Sequence, residues 1–284
     1  MEILNNGIFT GERALYAKKG IRVCNSVFED GESPLKECED IEVFSSTFRW
    51  KYPMWYSSAV FVENSTLEET ARSGIWYTRD ITMKDCKIDA PKTFRKSEGI
   101  VLHDCKLENA LETLWSCKNV QIKNCRVIGD YCAMNCEDFY GENIILDGNY
   151  FLDGAKNVVI KNSVLNSKDS FWNCENVTVY DSVIVGEYIG WNSKNVTFVN
   201  CTIESNQGLC YMDGVVLKNC TLVNTDLAFE YSRVDAEIVS SVDSVKNPIS
   251  GRIHARSIGE IIMESDRVDT SLTEITVDID NNNP

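Results

Sequence analysis

The sequence predicts an all-β protein wound as a right-handed parallel β-helix, with coils of about 19 to 20 residues. Three observations predict this fold. One pattern recurs at intervals of 19 to 21 residues, it alternates with the two-residue period of a strand, and each repeat is too short for a helix and strands together. Asn119–Val127 shows the whole pattern, with apolar residues one, three and eight positions after Asn119 and with Asn124 and Cys125 between them. Fixed periods of this length are typical of solenoids.

Eleven repeats follow this pattern, and we call the first residue of each one its base. An apolar residue follows the base by one and by eight positions in all eleven repeats, and Asn or Asp follows it by five positions in ten of them. The period of 19 fits neither a hexapeptide coil nor a pentapeptide-repeat coil, which favours the right-handed β-helix. The bases are Gly20, Asp40, Ala59, Asp80, Gly99, Asn119, Asp138, Asn157, Asn176, Asn195 and Gly214.

The domain organisation follows from where the repeats are regular. We expect a single domain over residues 1–284, with regular coils over 20–232. Since the open ends of a β-helix expose unpaired strand edges, residues 1–19 are expected to cap one end. The repeats weaken after Arg233, so residues 233–280 are expected to form irregular coils or a second cap, and 281–284 a frayed tail.

The repeat accounts for most of the 12 cysteines. No Cys-x-x-Cys pair occurs, and neither His103 nor His254 has a Cys or His at ligand spacing, so the sequence predicts no metal site and no cofactor. Nine cysteines occupy two repeat positions that hold Ser or Ala in other coils, which selects small volume rather than sulfur chemistry. They are Cys86, Cys105, Cys125, Cys201 and Cys220, six after the base, and Cys38, Cys117, Cys136 and Cys174, two before it.

Charge and hydropathy limit the partners. The formal net charge is −15 at pH 7, so nucleic-acid phosphates would be repelled. No apolar run approaches the ~18 residues of a membrane span. The N-terminus, MEILNNGIFTGER, lacks the basic and apolar stretches of a signal peptide. We therefore expect a cytoplasmic protein with free thiols and with neither a nucleic-acid nor a membrane partner.

Five of the six tryptophans stand four residues before a base, a position that we call the tryptophan column. Strict alternation places this column on one face with the small residues two before the base, which predicts tryptophans packed in the core. Charged residues in the same column favour an outward position instead, which would suit sugar stacking. The column holds Tyr16, Lys36, Trp55, Trp76, Arg95, Trp115, Met134, Asp153, Trp172, Trp191, Cys210 and Phe229.

The positions seven and three residues before the base point outward under the same alternation. The seventh holds mostly Tyr and carboxylates and the third mostly Asn, which suits binding of sugar hydroxyls, although a plain solvated face is the alternative. The candidate saccharide-binding residues are Arg95, Trp115, Tyr131, Asn135, Tyr150, Trp172, Asn173, Tyr188, Trp191 and Asn192.

Carboxyl groups on this surface are the candidates for catalysis. Glycoside hydrolysis needs two carboxyl groups roughly 5 to 9.5 Å apart. Glu112 and Asp169 are three coils apart, about 14 Å at the strand spacing, which is too far. Asp130 lies one coil from Glu112, and Glu187 one coil from Asp169, at a suitable axial separation but with their directions open. The candidate catalytic residues are Glu112, Asp130, Asp153, Asp169 and Glu187.

Several stretches of the chain resemble a family of bacterial proteins of unknown function. The resemblance covers most of the chain and implies a fold similar to the pectin-lyase-like right-handed β-helix superfamily, many of whose enzymes bind or cleave polysaccharides. The three-Asp site of polygalacturonases and the Arg and Ca²⁺ site of pectate lyases have no clear counterpart here. The stretches are GERALY at 11–16, ARSGIWY at 71–77, DAPKTFR at 89–95, ETLWSC at 112–117, SKDSFWNCENVTVYDS at 167–182 and GEYIGWNSKN at 186–195.

Two functions fit these observations. The first is a carbohydrate-related role, as a binder, hydrolase or lyase of an oligo- or polysaccharide, through the face formed by residues 112–192. The alternative is a non-enzymatic scaffold whose face or coil ends bind protein. The sequence leaves open whether the protein is an enzyme, because fold analogy alone does not assign a reaction.

Overall fold

Strands of the regular coils pair in parallel with the equivalent strands one coil away. In the computed structural model, which describes residues 1–278, the partners are 19 to 21 residues apart, as in Glu39↔Ser58 and Ser58↔Arg79. Neighbouring coils are therefore about 4.8 Å apart. Connections between such parallel strands take the right hand. The predicted class, an all-β right-handed parallel β-helix, is confirmed.

The chain forms two compact units, Met1–Gly148 and Asn149–Pro284, which we call unit 1 and unit 2. Each unit is a stack of parallel coils. Helical structure in residues 1–278 is limited to two three-residue 3-10 turns, Glu69–Ala71 and Thr270–Leu272. The expectation of a single domain over the whole chain stays a prediction.

Unit 1 contains eight coils, each of which begins with a longer strand and continues with a strand of two or three residues. Two further short strands pair at the tryptophan column, where Trp76 is opposite Arg95. The strands are β1 Glu2–Asn5, β2 Ile8–Phe9, β3 Lys19–Cys24, β4 Val27–Phe28, β5 Glu39–Phe44, β6 Thr47–Phe48, β7 Ser58–Glu63, β8 Thr66–Leu67, β9 Ile75–Trp76, β10 Arg79–Lys84, β11 Lys87–Ile88, β12 Phe94–Arg95, β13 Glu98–His103, β14 Lys106–Leu107, β15 Lys118–Lys123, β16 Arg126–Ile128, β17 Glu137–Glu142 and β18 Ile145–Asp147.

Unit 2 keeps the same pattern for three coils and then changes. From β25 onward the longer and shorter strands of a coil merge into single strands, with pairing irregularities near Cys220 and Ile238. The strands are β19 Lys156–Lys161, β20 Val164–Asn166, β21 Glu175–Tyr180, β22 Val183–Val185, β23 Lys194–Val199, β24 Thr202–Glu204, β25 Asp213–Val223, β26 Arg233–Lys246, β27 Ser250–Ile262 and β28 Thr273–Val277.

The segments predicted as caps contain paired strands. In residues 1–19, β1 and β2 form one more coil, and β1 pairs with β3 in the register Glu2↔Ile21. In residues 233–280, β26, β27 and β28 pair in that order. The tail predicted at 281–284 lies outside the described residues.

Left-handed backbone at fixed positions turns each coil. In the coil whose base is Asn176, the residues with positive φ are Asp169 at 56°, Phe171 at 58°, Asn173 at 54°, Asn176 at 60° and Asp181 at 48°. Asn and Asp adopt this conformation more readily than most residues, which explains their columns in the repeat. Phe171 is the exception, since a bulky side chain with positive φ is uncommon.

Two inward columns form the core that the repeat predicts. Val177 and Ile184, one and eight residues after the base, are fully buried, as are Val196 and Ile203 one coil later. The small column two before the base is also buried, and its side chains donate hydrogen bonds. The Cys174 thiol donates to the Leu152 carbonyl at 2.9 Å, and serines in other coils make the equivalent bond. That column therefore selects a small donor, not small volume alone.

The thiols are structural. All twelve cysteines are free, and eleven of them are buried. Burial raises the pKa of the Cys117 and Cys174 thiols to about 12. A neutral, buried thiol is a poor nucleophile and a poor metal ligand.

The tryptophan column lies outside the core, so the expectation of core tryptophans is wrong. Trp172 and Trp191 are half-buried, whereas Phe171 and Cys174 on either side point inward and are fully buried. Strict alternation fails because left-handed residues at Phe171 and Asn173 bend the chain immediately before and after Trp172. The column is consequently an outward ladder of aromatic rings.

Candidate functional site

Aromatic side chains of unit 2 surround a shallow hollow of about 250 Å³, lined by Trp172, Tyr188 and Trp191. We call it the aromatic hollow. The two indole rings are 6.2 Å apart between centroids and inclined by 33°. Tyr188 meets Trp191 edge-on at 5.9 Å, and Tyr150 meets Trp172 edge-on at 6.1 Å. The rings come from successive coils, so the repeat itself builds this surface.

Hydrogen bonds to the backbone hold most rings of the tryptophan column. The Trp172 indole N–H donates to the Tyr188 carbonyl at 2.7 Å, and the indoles of Trp55, Trp76 and Trp115 make equivalent bonds. The Trp191 indole N–H makes no such bond within residues 1–278. It is the donor of the aromatic hollow that a ligand can use.

Asp169 is the one predicted catalytic residue that the fold buries, with only 2% of its surface exposed. It belongs to the column seven before the base, for which the sequence predicts an outward direction, and that expectation is wrong for this residue. Desolvation by burial raises the pKa of the Asp169 carboxyl, opposed by the Lys168 charge and by a hydrogen bond from the Tyr150 hydroxyl. A contact with a residue 19 positions earlier thus fixes its place.

The two predicted asparagines of unit 2 form a hydrogen-bonded ladder beside the tryptophans. The Asn173 amide donates to the Asp153 carboxylate at 2.9 Å, and the Asn192 amide donates to the Asn173 oxygen at 2.9 Å. Tyr211 takes the place of Asn in the next coil and packs on Trp191, with ring centroids 4.5 Å apart. The ladder therefore ends at Asn192 and leaves its amide oxygen available as an acceptor.

Glu187 lies at the rim of the same face and is engaged by a cation. Its carboxylate forms an ion pair with Lys168 at 2.8 Å, with about half of each side chain exposed. Its backbone carbonyl accepts from the Asp169 N–H at 2.9 Å, which places the two residues on adjacent coils. Asp169 and Glu187 are thus neighbours along the stack, one buried and one exposed.

A polar cluster that the sequence does not predict adjoins the aromatic hollow. The Tyr211 N–H donates to the Glu230 carbonyl, so Glu230 continues the tryptophan column, and the alignment of Phe229 in that column is wrong by one residue. Phe229 is in the core. Glu230 is buried, bound to Lys246 at 3.0 Å and to the Gln207 amide at 3.4 Å. The irregular register of β25 and β26 hides this residue from a fixed-period alignment.

The tryptophan column of unit 1 is filled by a cation. Arg95 lies between two indole rings, with its guanidinium carbon 4.7 Å from the Trp76 centroid and 4.6 Å from the Trp115 centroid. Trp55 stacks on Trp76 at 5.2 Å. The Arg95 guanidinium also meets Glu112 at 3.4 Å. Arg95 therefore acts as one layer of the stack, and its faces are covered by rings.

The remaining predicted residues of unit 1 lie around this stack. Glu112 forms ion pairs with both Lys92 and Arg95, and its N–H donates to the Asp130 carbonyl at 3.0 Å. Tyr131 is exposed, and its carbonyl accepts from the Trp115 indole. Asn135 is exposed on the following corner.

The five candidate catalytic residues fall into two groups. Glu112 and Asp130 belong to unit 1, whereas Asp153, Asp169 and Glu187 belong to unit 2. Among them, only Asp169 combines burial with a carboxyl pKa raised above its ordinary value. Within residues 1–278, no group of three or more His, Cys, Asp or Glu side chains is arranged to hold a metal ion. Over the same residues, no helix is long and apolar enough to span a membrane.

The fold and this surface define a parallel β-helix protein with an outward aromatic ladder and adjoining carboxyl groups. The chain belongs to the family described as "Protein of unknown function (DUF3737)", which matches residues 2–276. A search of curated proteins returned no match.

Several solved structures are similar to this chain. One is a hyperthermoactive exopolygalacturonase from Thermotoga maritima, with 10% identity, 83% of each chain covered and a TM-score of 0.47. Another is PfbA, a surface adhesin of Streptococcus pneumoniae, with 10% identity, 91% of this chain and 77% of that chain covered, and a TM-score of 0.39. A third is the periplasmic alginate epimerase AlgG, at 11% identity, 97% and 75% coverage and a TM-score of 0.33. Likeness at this level does not extend to a substrate.

Proposed function

We propose that unit 2 binds an oligosaccharide in the aromatic hollow. The observation that carries this proposal is the hollow itself, because three aromatic rings from two coils line it and a buried carboxyl group adjoins it. The apolar faces of pyranose rings stack on such aromatic surfaces. A concave site with aromatic walls and few polar groups is the usual form of a small-molecule site.

Polar groups at the edge of the hollow supply hydrogen bonds to hydroxyls. The Trp191 indole N–H is the available donor, and the Asn192 amide oxygen is the available acceptor. The Glu187 carboxylate at the rim retains acceptor capacity beyond its pair with Lys168. A sugar hydroxyl both donates and accepts, so it can satisfy groups of either kind.

The proposal is binding, and catalysis would need one further feature. A glycosidase uses two carboxyl groups about 5 to 9.5 Å apart, one of them protonated. Asp169 suits the protonated role, because desolvation raises its pKa. Glu187 is held by Lys168, and its orientation toward Asp169 decides whether the pair can act on a bound glycosidic bond.

Calorimetric titration with a panel of hexasaccharides tests the proposal. Wild type is expected to bind at least one member, and Trp172→Ala and Trp191→Ala are expected to weaken that binding about tenfold or more, since stacking of a ring is lost. Trp55→Ala is the matched control, because Trp55 occupies the same column in unit 1. Circular dichroism verifies that each variant is folded. Equal weakening by Trp55→Ala, or no binding by folded wild type, would contradict the proposal.

A second candidate function is a scaffold that binds protein, and an exposed pair in unit 1 favours it. Tyr56 is 50% exposed and stacks on Tyr77 at 4.8 Å, with the rings nearly parallel. Exposed aromatic residues are enriched among the energetic centres of protein interfaces. Proteins recovered with wild type but not with a folded Tyr56→Ala/Tyr77→Ala variant, and shown to bind as purified components, would support this function.

A further inference from the structure

Negative charge surrounds the aromatic hollow of unit 2. Each lysine on the same coils is neutralised by a carboxylate, as Lys168 is by Glu187 at 2.8 Å and Lys246 is by Glu230 at 3.0 Å. The carboxyl groups on the coils of the hollow and beside them are Asp153, Asp169, Glu187 and Glu230.

Lys194 is the next cation along the chain, two residues after Asn192. It begins β23, and its register partners on the two neighbouring strands are Glu175 and Asp213. A carboxylate therefore lies beside Lys194 on both sides. The coils that build the hollow offer a carboxylate ligand group no cation that lacks an acidic neighbour.

The hydrogen-bonding groups at the hollow also favour a ligand that donates. The Asn ladder passes its donors inward from Asn192 to Asn173 to Asp153 and leaves an acceptor at its outer end. The Glu187 carboxylate is acceptor-only. Sugar hydroxyls satisfy acceptors by donation, whereas a uronate carboxylate has no hydrogen to donate.

We infer that the ligand of the aromatic hollow is an uncharged oligosaccharide, and that acidic polymers of uronate sugars are excluded; this inference rests on the proposed function. An acidic sugar brings one carboxylate per residue to a face that already carries unneutralised carboxyl groups. Juxtaposed like charges disfavour a complex strongly and so act as a specificity element. The net charge of −15 on the chain repels a polyanion in the same direction.

Matched ligand pairs test the inference. Each pair keeps the backbone and changes only the charge: fully methyl-esterified against de-esterified hexagalacturonate, and mannohexaose against hexamannuronate. For any pair of which one member binds, the uncharged member is expected to bind about tenfold more tightly in low salt. The difference is expected to shrink as NaCl is raised, because salt screens exposed charges.

A charge variant at the rim sharpens the test. Glu187→Gln releases Lys168 from its ion pair, so affinity for the acidic member should rise several-fold while affinity for the uncharged member stays within about twofold. Glu175→Gln is the matched control. It releases Lys156 from a similarly exposed pair at 3.3 Å, at the start of β19 and β21 rather than at the hollow. This control should change neither affinity by more than about twofold.

The outcomes separate the inference from the function on which it rests. Tighter binding of the uncharged members, with the gain confined to Glu187→Gln, supports the inference. Equal or tighter binding of the acidic members overturns it and leaves saccharide binding in place. Failure of folded wild type to bind any member of any pair, or of the wider hexasaccharide panel, overturns the proposed function and the inference together.

Discussion

At the scale of single residues, Asp169 makes the stability of the chain depend on pH in an uncommon direction. Burial raises its folded-state pKa above the ordinary value of 3.8. Most structural carboxyls gain stability from ionisation, but Asp169 loses it. As pH rises above 3.8, the unfolded chain releases this proton first, and the unfolded state is favoured until the folded carboxyl also ionises.

Asp169→Asn is therefore expected to remove a pH-dependent penalty. The stability of wild type relative to the variant should fall as pH rises from about 3.8 through the raised pKa, and then stay level. Urea denaturation of both proteins between pH 3.5 and 7 measures the difference. A difference that is constant or that increases with pH would contradict the burial of this carboxyl.

Arg95 in unit 1 is expected to be irreplaceable by lysine despite the equal charge. The guanidinium plane fits between the rings of Trp76 and Trp115, whereas an ammonium group is compact and strongly hydrated. Arg95→Lys should lower the free energy of unfolding by about 1 kcal/mol through lost cation–π contact. Chemical denaturation measures this loss. Arg79→Lys, at the exposed start of β10, is the control and should have almost no effect; equal losses at the two sites would contradict the stacked arrangement.

At the scale of elements, the coil is set by the left-handed corners as much as by its strands. Asn176 has φ of 60° and links two coils, since it donates to Asn157 at 3.1 Å and accepts from Asn195 at 3.1 Å. Asparagine suits this corner because it tolerates the conformation and its amide serves as both donor and acceptor.

Asn176→Val is expected to destabilise the protein by about 2 to 3 kcal/mol, because a β-branched residue is strained at positive φ and both ladder bonds are lost. Asn176→Gly relieves the strain and loses only the bonds, so it should cost about 1 kcal/mol. Thr178→Val, two residues later in the ordinary strand β21, serves as control. Similar losses for the Val and Gly variants at position 176 would show that backbone strain is not the cause.

The strands and the core could be predicted from the sequence because they depend on local periodicity. The apolar positions one and eight after the base mark Val177 and Ile184 directly. The direction of Trp172 could not be predicted, because it depends on positive φ at Phe171, which no Gly or Asn at that position signals. The burial of Asp169 depends on Tyr150 in the preceding coil, and a single-repeat pattern does not contain that contact.

At the scale of the whole molecule, net charge opposes folding. The chain carries −15 at pH 7, and compaction brings these charges together. Most of the ion pairs between coils are exposed, and exposed pairs contribute about 0 to 1 kcal/mol each. Repulsion among the surplus carboxylates is therefore expected to exceed what the pairs contribute.

Salt should consequently stabilise the protein. Raising NaCl from about 20 to about 300 mM at pH 7 shortens the screening length and weakens the repulsion, so Tm should rise by several degrees. Differential scanning calorimetry measures the change, with K2SO4-free buffers so that charge screening is the only effect compared. A fall in Tm would mean that the ion pairs between coils outweigh the net charge.

The central claim is that the aromatic hollow of unit 2 binds an oligosaccharide, and fluorine NMR of protein labelled with 5-fluorotryptophan tests it most directly. The chain has six tryptophans, each of which gives one resonance. On titration with the uncharged hexasaccharides, the resonances of Trp172 and Trp191 should shift and saturate together, while Trp50, Trp55, Trp76 and Trp115 should stay unchanged. Shifts confined to the tryptophans of unit 1, or no shift with any hexasaccharide, would contradict the claim.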